Sequence, residues 1–218
     1  MSGCTINIVA GGPSEFIPLL NNYDDEDILW IGVDRGTIYL LDHKIIPHTA
    51  VGDFDSITVA EWENAQFHVK HIEKFRSEKD ETDMTLALNW ALTQKPSKIQ
   101  IFGATGGRLD HLFTNALMLV PIKQQYPQLE FLVIDRQNEL SILLPGNYEI
   151  HKDVTKKYLS LIPLSETVEN ICLNGFKYPL HNQMITFGSS LCVSNEFIAD
   201  IGTISFTKGI LMMIRSED

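Results

Sequence analysis

Two stretches of different character predict an α/β fold followed by an all-β one. Up to about Asp135, short β-branched apolar runs alternate with longer helical patterns, as expected of a mostly parallel, Rossmann-like sheet flanked by helices. After Asp135 the runs "SILLPGNYEI", "KYLSLIPL", "VENICLNGF", "SSLCVSNEFI" and "GTISFT" are short and punctuated by Gly, Pro and Asn, with no long helical stripe; they read as a small β-sandwich or barrel. The chain has 218 residues, 44% of them hydrophobic, enough to bury a core in each half. The boundary is expected near Arg136 to Gly146, giving an α/β domain over 1–138 and a β domain over 139–218.

The strands of the first half are "TINIVA" (5–10), "ILWIGV" (28–33), "HTAVG" (48–52), "FHVKHI" (67–72), "KIQIFG" (98–103) and "EFLVID" (130–135). Its clearest helices lie between the last three. In "TDMTLALNWALTQ" Met84, Ala87, Leu88 and Ala91 recur at helical spacing, and Pro96 marks the end. In "LDHLFTNALMLV" Leu109, Leu112, Phe113, Ala116, Leu117 and Val120 form a similar stripe. Both stripes are expected to face the core.

Composition narrows the function. A net charge of -11 disfavours nucleic acid, whose phosphates need a basic surface, and suits cations better. No window approaches the ~18 consecutive apolar residues of a membrane span, and "MSGCTINIVAGG" lacks the basic-then-apolar order of a signal peptide, so a cytoplasmic protein is expected. Cys4, Cys172 and Cys192 are far apart and unpaired in spacing, which indicates neither a disulfide framework nor a zinc cluster. His68 and His71 lie three apart, on opposite faces of a strand, and make a poor metal pair.

In an open α/β sheet ligands sit beyond the carboxyl ends of the strands. Those ends carry Gly11 and Gly12; Asp34, Arg35 and Gly36 ("GVDRG"); Asp53 and Asp55 ("VGDFDSI"); and the loop "GATGGRLDH", Gly103 to His111. The segment "EKDETD", with Asp80 and Asp83, precedes the helix after the fourth strand. If "GDFDS" stays extended, Asp53 and Asp55 point to one side, and their mutual repulsion is relieved by a hard cation such as Mg²⁺, which takes one or two carboxylates and completes its shell with water and phosphate. A polar turn, with Asp55 or Ser56 capping the next helix, explains the same letters. In "KDETD" Asp80 can cap a helix and Asp83 can complement its dipole in the first turn. A strand running into "GATGGR" and a helix offers backbone N–H groups to an anion, Gly106 and Gly107 permit close approach, and Arg108 adds a forked contact. The loop is neither a Walker loop nor a dinucleotide fingerprint. His111 can reach a phosphate or simply make a helix-start hydrogen bond. Acids for Mg²⁺ beside a cradle for phosphate point to a nucleoside triphosphate site and to phosphoryl or diphosphoryl transfer.

In order along nearly the whole chain, "GVDRG", "VGDFDSI", "EKDETDMTLAL", "FGATGGRLDHLFTNALML", "YLSLIPL", "NGFKYPL", "VSNEF" and "GILMMI" resemble the thiamine pyrophosphokinase family. The resemblance implies a catalytic α/β domain, a β domain that contributes to thiamine binding and dimerisation, and a homodimer with active sites between protomers. It also implies transfer of the diphosphate of ATP, with Mg²⁺, to the hydroxyethyl oxygen of thiamine, releasing AMP. By motif, Asp53, Asp55 and Asp83 match the metal-binding acids. Asp34 is a further acid of the catalytic set, and Lys79 stands where some relatives carry glutamine. Gly103, Thr105, Gly106, Gly107, Arg108, Asp110 and His111 fall in the ATP loop, and Ser194 and Asn195 match the segment that faces thiamine. Eukaryotic relatives place a tryptophan near the vitamin, whereas Trp30, Trp62 and Trp90 all precede the β domain. Something else must stack there. A related diphosphokinase acting on a pterin alcohol and a non-catalytic module that senses ATP and Mg²⁺ are the alternative readings, and an aspartate is the candidate proton acceptor.

Overall fold

A computed structural model describes residues 3–74 and 81–218, within which the chain forms two compact units. The first comprises residues up to Met118 together with Gln128–Arg136; the second comprises Leu119–Pro127 and Gln137–Asp218.

The first unit is built on six parallel strands: β1 (Thr5–Val9), β2 (Ile28–Val33), β3 (Thr49–Gly52), β4 (Ile72–Lys74), β5 (Lys98–Phe102) and β6 (Glu130–Ile134). They lie in the order β6-β5-β1-β2-β3-β4. Strands covered on both faces read as continuous apolar runs rather than alternating ones. Ile6, Ile8, Ile31, Ile99 and Ile101 are accordingly fully buried. The helices are α1 (Arg35–Asp42), α2 (Val59–His68), α3 (Asp83–Thr93) and α4 (Leu109–Leu117), with short 3-10 turns at Ser14–Phe16 and Leu20–Tyr23. Val9, Trp30, Leu40, Phe102 and Ile134 share one core cluster, in which Trp30 stacks on Phe102 at 6.1 Å and Tyr23 meets the same ring edge-on at 4.8 Å. The chain runs outward from β1 to β4 and then returns to the other side of β1 with β5. This creates a crevice between the carboxyl ends of β1 and β5, the place where open sheets bind ligands.

α3 follows its sequence pattern. Thr82 caps it by accepting the Thr85 N–H at 3.2 Å, and Met84, Ala87, Leu88 and Ala91 are all buried. α2 instead corrects two expectations. Its cap is Thr58, in a reciprocal capping box with Glu61, rather than Asp55 or Ser56. The helix so started runs through Phe67 and His68, so "FHVKHI" is not a strand; β4 begins only at Ile72. The alternation of Phe67, Val69 and His71 imitates a period of two by accident of a helix end. The third correction concerns α4. Leu109, Phe113 and Leu117 form the expected stripe but are 68%, 58% and 46% exposed, and only Ala116 on this helix is buried. Periodicity identifies a face without saying what covers it.

The second unit contains α5 (Leu119–Gln125), which packs on β7 (Asn138–Leu143), and two antiparallel sheets. One has the order β12 (Asn195–Glu196), β9 (Tyr158–Pro163), β14 (Leu211–Ser216), β7. The other has the order β11 (Leu180–Thr186), β10 (Thr167–Asn174), β13 (Ile201–Phe206), β8 (Gly146–His151). Side chains of both sheets, among them Leu143, Leu159, Leu161, Ile171, Leu173, Ile204, Phe206 and Leu211, meet in one core, which makes this unit a β-sandwich. Phe176 and Phe197 close it with rings 4.7 Å apart.

Candidate active site

Four adjacent strands, β5, β1, β2 and β3, deliver their carboxyl-end loops in a row, and the loops touch one another. A Cβ on Gly12 would lie 2.3 Å from the Gly103 carbonyl oxygen, and one on Gly11 would lie 3.3 Å from the Arg35 Cβ. The β1 loop thus bridges the glycine turn after β5 and the start of α1.

The turn after β3 holds Asp53 and Asp55, but not as an extended strand. β3 stops at Gly52, Phe54 takes a left-handed φ of 61°, and the Asp55 N–H donates to the Asp53 carboxylate at 3.1 Å. The extended, same-side geometry expected for the two acids is therefore replaced by a turn. Its cause is local: the Phe54 ring is buried with Ala50 and Val69 and packs on Trp62 at 4.9 Å, which the turn makes possible. Asp53 is half-buried and Asp55 exposed.

Asp34 stands between β2 and α1 with its carboxylate directed at this turn, accepting the Phe54 N–H at 3.2 Å. Burial pushes its pKa up from 3.8 to about 6; the Phe54 N–H pulls the other way, and the charges of Asp83, Asp53 and Asp55 add to the rise. Acids from three separate segments therefore share one electrostatic field. Asp83 enters it as the first residue of α3, which packs on β2 and β3. Among the described residues, no three His, Cys, Asp or Glu side chains stand close enough to form a ready-made metal cage. Lys79, like Asp80, lies outside the described residues.

Arg35, to which the sequence reading gave no role, braces the same turn. Its guanidinium donates to the Ser56 carbonyl and pairs with Glu61 at 3.4 Å. Its only signal was its place in "GVDRG".

The glycine turn after β5 is left-handed at three positions. Gly103, Gly106 and Gly107 have φ of 64°, 76° and 64°, and a Cβ on Gly106 would lie 2.6 Å from the Phe16 ring. The buried Thr105 hydroxyl has no hydrogen-bond partner. Arg108 occupies the cap position of α4 and makes no side-chain cap bond. The Arg108 guanidinium is forked onto Asp110, at 2.5 Å and 3.1 Å, and draws the Asp110 carboxyl down to about 2. Both side chains and His111 are exposed, and the His111 N–H donates to Asp110 at 3.0 Å.

In the second unit Ser194 is exposed, with φ 56° and its N–H on the Ser160 hydroxyl at 2.9 Å. Asn195 is buried and fully engaged. Its Oδ1 accepts from the Tyr178 and Glu196 N–H groups, both at 3.0 Å, and its Nδ2 donates to the Tyr178 carbonyl at 2.9 Å. It holds the backbone of Tyr178, whose ring is 57% exposed. The letters "NGFKYPL" give no hint that Asn195, 17 positions away, grips Tyr178.

Two family models match the chain. Residues 20–131 match thiamin pyrophosphokinase, catalytic domain, and residues 147–211 match thiamin pyrophosphokinase, vitamin B1 binding domain. Thiamine pyrophosphokinase of Bacillus subtilis is 52% identical over 98% of this chain and 99% of its own. A solved structure of the Bacillus subtilis enzyme superposes with a TM-score of 0.93 at the same identity, covering 98% of this chain and 99% of that one. Thiamin pyrophosphokinase of Geobacillus thermodenitrificans gives 0.88 at 49% identity, covering 98% of each chain. With matches to both family models and 52% identity to a relative over nearly the whole chain, the chain belongs to the thiamine pyrophosphokinase family.

Proposed function

We propose that the chain transfers the diphosphate of ATP to the hydroxyethyl oxygen of thiamine, giving thiamine diphosphate and AMP. The observation that carries this reading is the shared field of Asp34, Asp53, Asp55 and Asp83, set one loop away from the glycine turn. In the reaction the hydroxyl oxygen attacks the β-phosphorus, the bond from that phosphorus to the AMP oxygen breaks, and the hydroxyl proton is lost to a base. Such chemistry asks the protein mainly for positioning and charge neutralisation.

Asp53, Asp55 and Asp83 are the groups that would hold Mg²⁺. All are hard oxygen donors, the ligand type that suits a cation which keeps waters and takes phosphate oxygens as its other ligands. When bound, the ion neutralises charge on the transferred group. Gly103, Thr105, Gly106 and Gly107 offer backbone N–H groups and one unpartnered hydroxyl to the polyphosphate. Arg108 joins them by exchanging its exposed, solvent-screened partner Asp110 for phosphate, with His111 beside it. Lys79 completes the catalytic set by its place in the motif. The β domain presents Ser194, and through Asn195 the ring of Tyr178, to thiamine; an aromatic face suits a thiazolium cation. The reading extends to a homodimer with active sites between protomers, supported by the exposed apolar stripe of α4.

AMP release measured with thiamine, with a hydroxymethylpterin and with neither acceptor tests the proposal. Release is expected only with thiamine, and Asp53→Asn or Asp83→Asn should lower it by at least about a hundredfold with little loss of fold. Release with the pterin instead, or ATP binding without release, would point to the alternative acceptor or to a sensor.

A further inference from the structure

Asp34 has a backbone conformation that residues with a side chain rarely adopt, φ 47° and ψ -122°. Such a conformation persists only where its surroundings over-determine it. Three hydrogen bonds do so here. The Asp34 N–H donates to the Val51 carbonyl at 3.0 Å, its own carbonyl accepts the Thr37 N–H at 3.0 Å to open α1, and its carboxylate accepts the Phe54 N–H at 3.2 Å. Asp34 thus grips the chain on both sides of Gly52 and Asp53. The carboxylate occupies the space over Gly52: a Cβ there would lie 1.9 Å from Oδ1, and the Gly52 φ of 152° is itself one that side chains avoid.

We infer that Asp34 is a positioning residue, whose carboxylate pins the Gly52–Asp55 turn through the Phe54 N–H and so sets where Asp53 and Asp55 stand. The catalytic consequence rests on the function proposed above; the clamp itself does not. Val51, Phe54 and Ser56 are held in succession by the dipeptide Asp34–Arg35, leaving Asp53 and Asp55 as the side chains carried between the anchors. What the clamp needs from residue 34 is an acceptor at the right place rather than a charge.

Asp34→Gly removes the acceptor while relieving the strained backbone, so folding is not at risk from the dihedral; Asp34→Asn keeps an acceptor and removes the charge. Amide hydrogen exchange at Phe54, read by NMR in the resting protein, should quicken by about 10- to 100-fold in Asp34→Gly, as for loss of a hydrogen bond to a charged acceptor. Turnover should fall by at least about tenfold, since small misplacements at a reacting centre are costly, while the KM for thiamine stays near that of the parent. Asp34→Asn should recover slow exchange and much of the lost turnover. Unchanged Phe54 exchange in Asp34→Gly would overturn the clamp. Slow exchange with turnover as low as in Asp34→Gly, in Asp34→Asn, would show that the charge itself acts. If the parent releases no thiamine-dependent AMP, the function reading fails while the exchange result still decides the clamp.

Discussion

Asp34 shows how one residue's surroundings set its chemistry. Its pKa rises from 3.8 to about 6 because burial and three neighbouring acids outweigh the Phe54 N–H. Between about pH 4 and about pH 6 the folded protein therefore keeps a proton that the unfolded chain has released. By linkage, stability falls as pH rises across that window, because the folded state binds the extra proton. In the absence of divalent cations, the thermal midpoint of Asp34→Asn should gain on that of the parent from pH 4 to pH 6.5, and Mg²⁺ should reduce the gain by neutralising the field. A difference between the two midpoints that stays flat with pH would contradict the raised pKa. This crowding was partly visible in the letters "GVDRG", "GDFDS" and "KDETD". The φ of Asp34 and its bond to residue 54 were not, because neither leaves a mark in composition or period.

Among the elements, legibility followed how each face is covered. The stripe of α3 packs on β2 and β3 of its own unit, so pattern and burial coincide at Met84, Ala87, Leu88 and Ala91. On α4 the same kind of pattern leaves Leu109, Phe113 and Leu117 in water. Such a row on a helix is costly unless another surface meets it. If that surface is a second copy of the chain, Phe113→Glu should convert the protein from dimer to monomer by analytical ultracentrifugation, with its far-UV circular dichroism kept. A dimer that survives the charge would remove α4 from the interface. The start of α2 is fixed by the capping box of Thr58 and Glu61, a stronger helix signal than Asp55 or Ser56 before it.

For the whole molecule, the order β6-β5-β1-β2-β3-β4 explains why distant motifs cooperate. It brings "GATGG", the β1 glycines, "GVDRG" and "GDFDS" to consecutive strand ends, although Gly11 and Gly107 lie 96 positions apart in sequence. The alternating pattern predicted a parallel sheet, but strand order is decided by crossovers that no local signal encodes. The central claim is that one divalent ion joins the acids to the glycine turn through a polyphosphate. Mn²⁺, added with a non-hydrolysable ATP analogue as a paramagnetic substitute for Mg²⁺, tests it most directly. Selective broadening of the NMR amide signals of both Phe54–Ser56 and Gly106–Arg108, lost in Asp53→Asn, is the predicted result; broadening confined to one of the two segments, or to neither, would contradict it.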